Sequence, residues 1–411
     1  MVLSVSHDRL FFHIVAVKNF HVKFPVAGSG QRWMMQVKDR DIGIITFHCS
    51  DNYGAMLQAY GLKKYLGDLG LKADIVRYEP MFMVGRNWWA PYAPTGNFYK
   101  SLRYLCWGIR SHRKMGGHFF KRKANMDRFR KKYLVDAGTK KLLFAWQFRK
   151  LPYLYYVVGS DQIWNPDITF GLRKVYFGGF ESKRKKRVIA YAASLGGSSL
   201  PPQYDRQFSE LMNGVDVVSV REKEAVFYVR KHSGKQVVSV LDPVFLLEKE
   251  LWQGVAVLPK REHYILVYST EDNPELSGYV DLLSQKTGLP VIELKISHED
   301  HDKGYLIDYM AGPEEFLGYI HKADYVVTNS FHAVAFSIIF EKNFMAFLHS
   351  SRGERIRNIL MVCGLADRIY NKGYISMEAN IDWGRVKSKI GKEAEKAGDF
   401  LKENISDGRG M

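Results

Sequence analysis

The chain's most evident chemistry sits where a β-branched run gives way to an apolar helical stretch. Residues 325–328 read as a strand, Asn329 and Ser330 as the turn, and residues 333–340 as a helix. A helix start presents unpaired N–H groups and a partial positive charge, so it suits an anion, and Ser330 can either cap it or donate to a phosphate. Phe331 and His332 lie at that start. A histidine titrates near neutral pH and can act there as acid or base, although a packing or capping histidine fits the local pattern equally. Arg221, just past a strand at 215–220, carries a planar fork suited to a carboxylate or phosphate; a surface pair with Glu222 or Glu224 is its plainer role.

Two further loops follow strands. Asn52-Tyr53-Gly54 makes the first strand-to-helix turn, where asparagine caps and glycine allows close backbone approach. Ser160-Asp161 leads to Trp164, combining a capping pair, a carboxylate that can be simply a cap, and an aromatic of the kind that stacks on sugar. Arg352, Arg355 and Arg357 flank the last helix of the second half and can touch phosphate or stay solvated. The chain holds no GxSxG, no HExxH and no nucleotide fingerprint.

The elements that must position these residues alternate as strand, loop and helix. Strands are expected at 42–47, 73–78, 154–158, 187–191, 215–220 and 237–241, then at 264–268, 290–294, 325–328 and 344–347. That rhythm is the mark of parallel sheets with crossover helices, whose ligands sit beyond the carboxyl ends of the strands. The expected fold is α/β, two Rossmann-like domains around a central cleft, with residues 36–258 in the first and 259–375 in the second. A basic, aromatic insertion interrupts the first domain at about 96–150; residues 100–132 carry twelve Lys or Arg against the single acid Asp127. It reads either as a solvated helical face or as a surface for anionic lipid or a lipid-linked substrate. Residues 376–411 form a charged tail of helical composition, and residues 1–35 an extension that is disordered or not native, with Met34 or Met35 as the start.

A chain of 411 residues with 46% apolar composition can fill two cores, which excludes a disordered protein. The net charge of +17 attracts anions without choosing among metabolites, headgroups and nucleic acid. No nucleic-acid recognition motif accompanies the basic clusters, so nucleic acid is the least favoured partner. Three cysteines at 49, 106 and 363, with no CxxC and no zinc spacing, fit a reducing compartment and no metal site. With no long apolar span and no signal-like start, the expectation is a cytoplasmic protein, or one at the inner face of the membrane.

Six segments taken in order resemble the polysaccharide pyruvyl transferase family. They are residues 44–48 with 52–59, residues 159–166, residues 218–222, residues 241–246 and Asn329-Ser330-Phe331-His332, and the resemblance spans about 41–370. It implies a fold similar to GT-B glycosyltransferases and transfer of a pyruvyl group from phosphoenolpyruvate to a saccharide or lipid-linked saccharide, forming a ketal in cell-surface or exopolysaccharide biosynthesis. It further implies that Arg221 and the segment Ser330, Phe331, His332 hold the donor, with His332 as acid/base. On the reading of the residues themselves, Arg352 or Arg355 can contact phosphate, and Asn52, Tyr53, Gly54, Ser160, Asp161 and Trp164 are the acceptor or cleft-lining candidates. No cofactor is implied. The family pattern has Arg-x-His where this chain has Ser330-Phe331-His332. A nucleotide-sugar GT-B glycosyltransferase and a non-catalytic saccharide-binding member are the competing readings.

Overall fold

The computed structural model describes residues 41–91, 98–297, 304–350, 353–371 and 380–406. The reading of residues 1–35, with a start at Met34 or Met35, lies outside them, as does Arg352.

Eleven strands among the described residues form two wholly parallel sheets. The first sheet holds β1 (Asp41–Ile45), β2 (Lys72–Ile75), β3 (Tyr155–Gly159), β4 (Arg187–Ala193), β5 (Val217–Val220) and β6 (Val237–Ser239), in the order β2-β1-β3-β4-β5-β6. The second holds β7 (Ile265–Tyr268), β8 (Val291–Leu294), β9 (Leu306–Asp308), β10 (Tyr325–Thr328) and β11 (Asn343–Ala346), ordered β11-β10-β7-β8-β9. Strand β3 is buried along its whole length, as a strand covered on both faces must be. The ten expected strands are present with ends shifted by up to three residues. The sequence reading missed β9, a short edge strand whose three residues are exposed or half-buried and give no apolar run.

Helix α1 (Tyr53–Asp68) follows β1, capped by the Asn52 side chain, which accepts from the Ala55 N–H at 3.0 Å. The insertion forms α2 (Phe98–Met115) and α3 (Gly117–Phe129), the latter running on as one π turn, Arg130–Leu134. In the second half, α4 (Pro313–Lys322) has proline in its first turn, and Glu315 accepts from the Gly312 N–H at 2.9 Å. Then come α5 (Phe331–Ile339), α6 (Glu354–Cys363) and α7 (Trp383–Ser406).

The halves share one apolar cluster rather than meeting across water. Tyr53 of α1 stacks on Phe316 of α4 at 4.7 Å and donates its hydroxyl to the Ala311 carbonyl at 2.9 Å. Helix α3 adds charge to the same seam: Arg128 pairs with Glu314 at 3.0 Å, and so does Lys132 at 3.0 Å. Part of the basic insertion is thus a strut between the halves. The tail helix α7 buries Ala397, Leu401 and Ile405, with Gly398 against Tyr65 of α1.

Candidate functional site

The loops at the carboxyl ends of β1, β3, β7 and β10 converge on a cavity of about 280 Å³. That is the position expected for ligands of open parallel sheets, and the size suits a small anion such as a phosphorylated acid. Asn52, Gly54, Asp161, Ser330, Phe331, His332 and Arg355 all line it.

His332 occupies the first turn of α5, buried but opening on the cavity. Its ring is locked by close packing: a Cβ placed on Gly54 would lie 1.9 Å from Nδ1. Only glycine at position 54 lets α1 approach the ring this closely. On its other side, Nε2 lies 3.8 Å from Oδ2 of Asp242, within ion-pair reach and beyond a hydrogen bond. That same oxygen accepts from Arg221 Nη1 at 2.7 Å and from the Ser160 hydroxyl at 3.2 Å. Asp242 is therefore the hub that ties the arginine of the first half to the histidine of the second.

Burial alone would raise the Asp242 carboxyl, but His332 and Arg221 outweigh it and hold it well below the usual carboxylate range. The Arg221 guanidinium keeps its charge, since Asp242, Glu222 and Asp161 together exceed the desolvation that opposes them. Its Nε and Nη2 have no hydrogen-bond partner among the described residues, with Glu222 and Asp161 at 3.7 Å and 4.0 Å. Buried donors left open in this way can take an anion, against the charge of the two carboxylates already beside them. Burial raises Glu222, and this exceeds the lowering by Arg221 and by the Ser194 hydroxyl, which donates to it at 2.5 Å.

Phe331 divides the region. Its ring lies 4.9 Å under the Arg221 guanidinium and 5.8 Å from that of Arg355. Arg221 and Asp242 face a second cavity of about 370 Å³, and Phe331 and Arg355 line both.

Other residues singled out in the sequence fall elsewhere. Trp164 is fully buried, stacked on Phe177 at 5.3 Å, with its indole N–H given to the Tyr176 carbonyl at 3.0 Å. It is a core residue and offers no face to a sugar, because the apolar stacking surface is already used within the first half. Tyr53 is likewise buried in the seam between halves and does not line the cavity. Ser160 is wholly buried and supports Asp242 rather than the cleft wall. Asp161 lines the cavity while its Oδ1 accepts the Gln162 N–H at 2.8 Å, so it caps its loop as well. The Ser330 side chain makes no cap bond to α5.

Sequence reasoning missed Asp242 as a site residue and Arg86 altogether. Asp242 lies within residues 241–246, just past the expected strand at 237–241, which is its only signal. Arg86 reaches the cavity from the short helical turn Gly85–Asn87, giving Nη2 to the Ile168 carbonyl at 2.8 Å, and no pattern in the sequence marks it. Among the described residues no group of three or more His, Cys, Asp or Glu is placed to hold a metal ion.

A family model described as polysaccharide pyruvyl transferase matches residues 52–351, and the chain belongs to that family, which is associated with transferase activity. No curated protein matches. Among solved structures, an uncharacterized protein of Klebsiella pneumoniae, KP1_0663, is 11% identical over 81% of this chain and 93% of its own, at a TM-score of 0.37. The glycosyltransferase SnogD of Streptomyces nogalater is 10% identical over 88% of this chain and 98% of its own, at 0.34. Spinosyn forosaminyltransferase SpnP is 10% identical over 88% and 95%, at 0.37.

Proposed function

We propose that this member of the polysaccharide pyruvyl transferase family transfers a pyruvyl group from phosphoenolpyruvate to two hydroxyls of a saccharide, closing a cyclic ketal, in cell-surface or exopolysaccharide biosynthesis. The observation that carries the reading is the cluster in which one Asp242 oxygen stands 2.7 Å from Arg221 and 3.8 Å from His332, at the start of α5. The two parallel sheets are then the halves of a GT-B-like fold, with the donor held where they meet.

The donor carries a carboxylate and a phosphate, so it needs fixed cations and N–H groups. The α5 N-terminus, the Ser330 hydroxyl and Arg355 serve the phosphate, and the donor's second anionic group meets Arg221 past the Phe331 ring, on the side where Arg355 lines both cavities. Arg355 and Arg86, both on the cavity wall, supply the cationic charge that the family arginine would have brought to position 330. His332 delivers a proton to C3 as a saccharide hydroxyl attacks C2, and the proton lost by that hydroxyl restores the ring. The C=C bond is consumed, a C–O bond forms, and the C2–O bond to phosphate then breaks as phosphate leaves. A second hydroxyl takes its place and closes the ketal, its proton leaving with the phosphate. Asp242 stabilises the protonated ring, which the contact with Gly54 holds in place. The donor brings the transferred group itself, so the reading includes no resident cofactor, and three free cysteines fit a cytoplasmic setting.

The test is incubation of purified protein with phosphoenolpyruvate and candidate glycans, following phosphate release and a pyruvate ketal on the acceptor. His332→Ala should abolish both. A wild-type protein that never consumes the donor alongside a proven acceptor sinks the reading. Ser330 in place of the arginine favours one rival, a nucleotide-sugar glycosyltransferase. Thermal stabilisation by a nucleoside diphosphate but not by phosphoenolpyruvate would decide for that rival.

A further inference from the structure

Helices α2 and α3 are both basic, yet they use their cations differently. On α3, Lys123 and Arg130 pair with Asp51, and Arg128 and Lys132 pair with Glu314. On α2 there is no acid at all, and five cations fall within eighteen residues: Lys100, Arg103, Arg110, Arg113 and Lys114. Arg103, Arg110 and Arg113 are exposed and have no ion-pair partner among the described residues.

One side of α2 is firmly seated. Gly108 sits against Pro91, Met115 is buried, and His112 bonds the Trp89 carbonyl at 2.8 Å. At 100° per residue the opposite half of the helix carries Phe98, Leu102, Tyr99 and Trp107 interleaved with the five cations. These four are 76%, 45%, 80% and 54% exposed. Burying such rings in the protein would be favourable, and a solvated face has no use for them. Rings with cations and no acid are instead the composition of a helix lying in an anionic lipid interface.

We propose that the outer face of α2 docks the protein on an anionic lipid bilayer, lying in the headgroup plane without crossing it. Among the described residues no helix is long and apolar enough to span a membrane. The helix adjoins the site on its seated side, where Tyr104 interacts electrostatically with Arg86, which lines the cavity. A docked α2 therefore holds the cavity one helix diameter, ~10 Å, from the surface on which a lipid-linked saccharide is displayed. The docking goes beyond the pyruvyl-transfer reading and stands without it, because partitioning is measured with neither donor nor acceptor.

The experiment is co-sedimentation of the full chain with phosphatidylcholine vesicles, with and without phosphatidylglycerol. Wild type should pellet with the anionic vesicles only, and less as salt rises. Replacing two cations, R103Q with R110Q, should weaken partitioning roughly 25-fold, at about fivefold per cation. F98S with W107S should weaken it on the order of tenfold while leaving the charge intact. K183Q with R184Q removes two exposed charges elsewhere and should change little. Cys106 is the exposed one of the three free cysteines and lies on the outer face, so an environment-sensitive dye there should shift to the blue on vesicle binding. Absence of wild-type binding to anionic vesicles, undiminished binding by both α2 variants, or equal loss in the K183Q/R184Q control overturns the proposal. So does tighter binding of a single-stranded oligonucleotide that is lost in the same α2 variants, which would make the face a nucleic-acid surface.

Discussion

Gly54→Ala separates the seating of His332 from the stability of the fold. The added Cβ would stand 1.9 Å from Nδ1, 2.3 Å from Cγ and 2.4 Å from Cε1, so the ring as a whole must retreat. Reaching ordinary contact at 3.4 Å requires a shift of about 1.5 Å. Misplacing a reacting group by ~1 Å costs on the order of 100-fold in rate, which corresponds to about 2.7 kcal/mol of barrier. The net cost to the fold is of similar or smaller size, and spread over a chain this long it moves the melting temperature little. Overpacking costs about 1–3 kcal/mol, and alanine in place of glycine inside α1 returns about 0.5–1 kcal/mol. The assay is phosphate release with saturating donor and acceptor, beside a melting curve and a crystal structure of the variant. The expected outcome is a kcat lower by about two orders of magnitude and a melting temperature moved by only a few degrees. Full turnover in a folded variant would refute the reasoning that this contact aims the ring. So would a structure showing His332 unmoved while activity is lost.

Arg355→Ala should lower kcat/KM by about 10–100-fold, the loss of one charged hydrogen bond to the donor, and adding Ser330→Arg to it should recover part of that if Arg355 stands in for the family arginine. Unchanged kcat/KM in Arg355→Ala would remove it from the donor site. Trp164→Ala should cost about 3–5 kcal/mol in urea unfolding, with the KM of the acceptor unchanged at temperatures where the variant stays folded; a raised acceptor KM would restore Trp164 to the sugar site. His48 is buried and, through burial first and Arg130 second, lowered from 6.5 to about 4. The unfolded chain therefore takes up this proton before the folded one does. The contribution is complete above pH 6.5 and lost as pH falls toward 4, amounting to about 3 kcal/mol. Urea midpoints of His48→Gln should be flatter over that range than wild type, and an unchanged slope would show the proton is taken up elsewhere.

Much of the fold was legible because parallel strands buried on both faces write themselves as short β-branched runs. Residues 155–159 and 325–328 are of that kind, and each ends in the small or polar residues of a loop. The short edge strand Leu306–Asp308 was illegible for the converse reason: with one neighbour and little burial, its residues need not be apolar. Of the site, His332, Gly54 and Asp161 were placed on the cavity from their positions after strands. Trp164 and Tyr53 were misread because an aromatic beside a loop looks the same whether it faces a ligand or a core.

The amino-acid sequence by itself determined the two parallel-sheet halves, the family and the loops that carry the chemistry, since these depend on local periodicity and on segments read in order. Only the tertiary structure decided that Asp242 joins Arg221 to His332, ninety residues further on. It also decided that Phe331 parts two cavities, that Arg86 reaches one of them, and that four cations of α3 and its π turn pair with Asp51 and Glu314 while Arg103, Arg110 and Arg113 of α2 face outward. Each of these depends on which distant groups share a few ångströms once the halves pack. A charge or a ring has no meaning for binding until its neighbours are known.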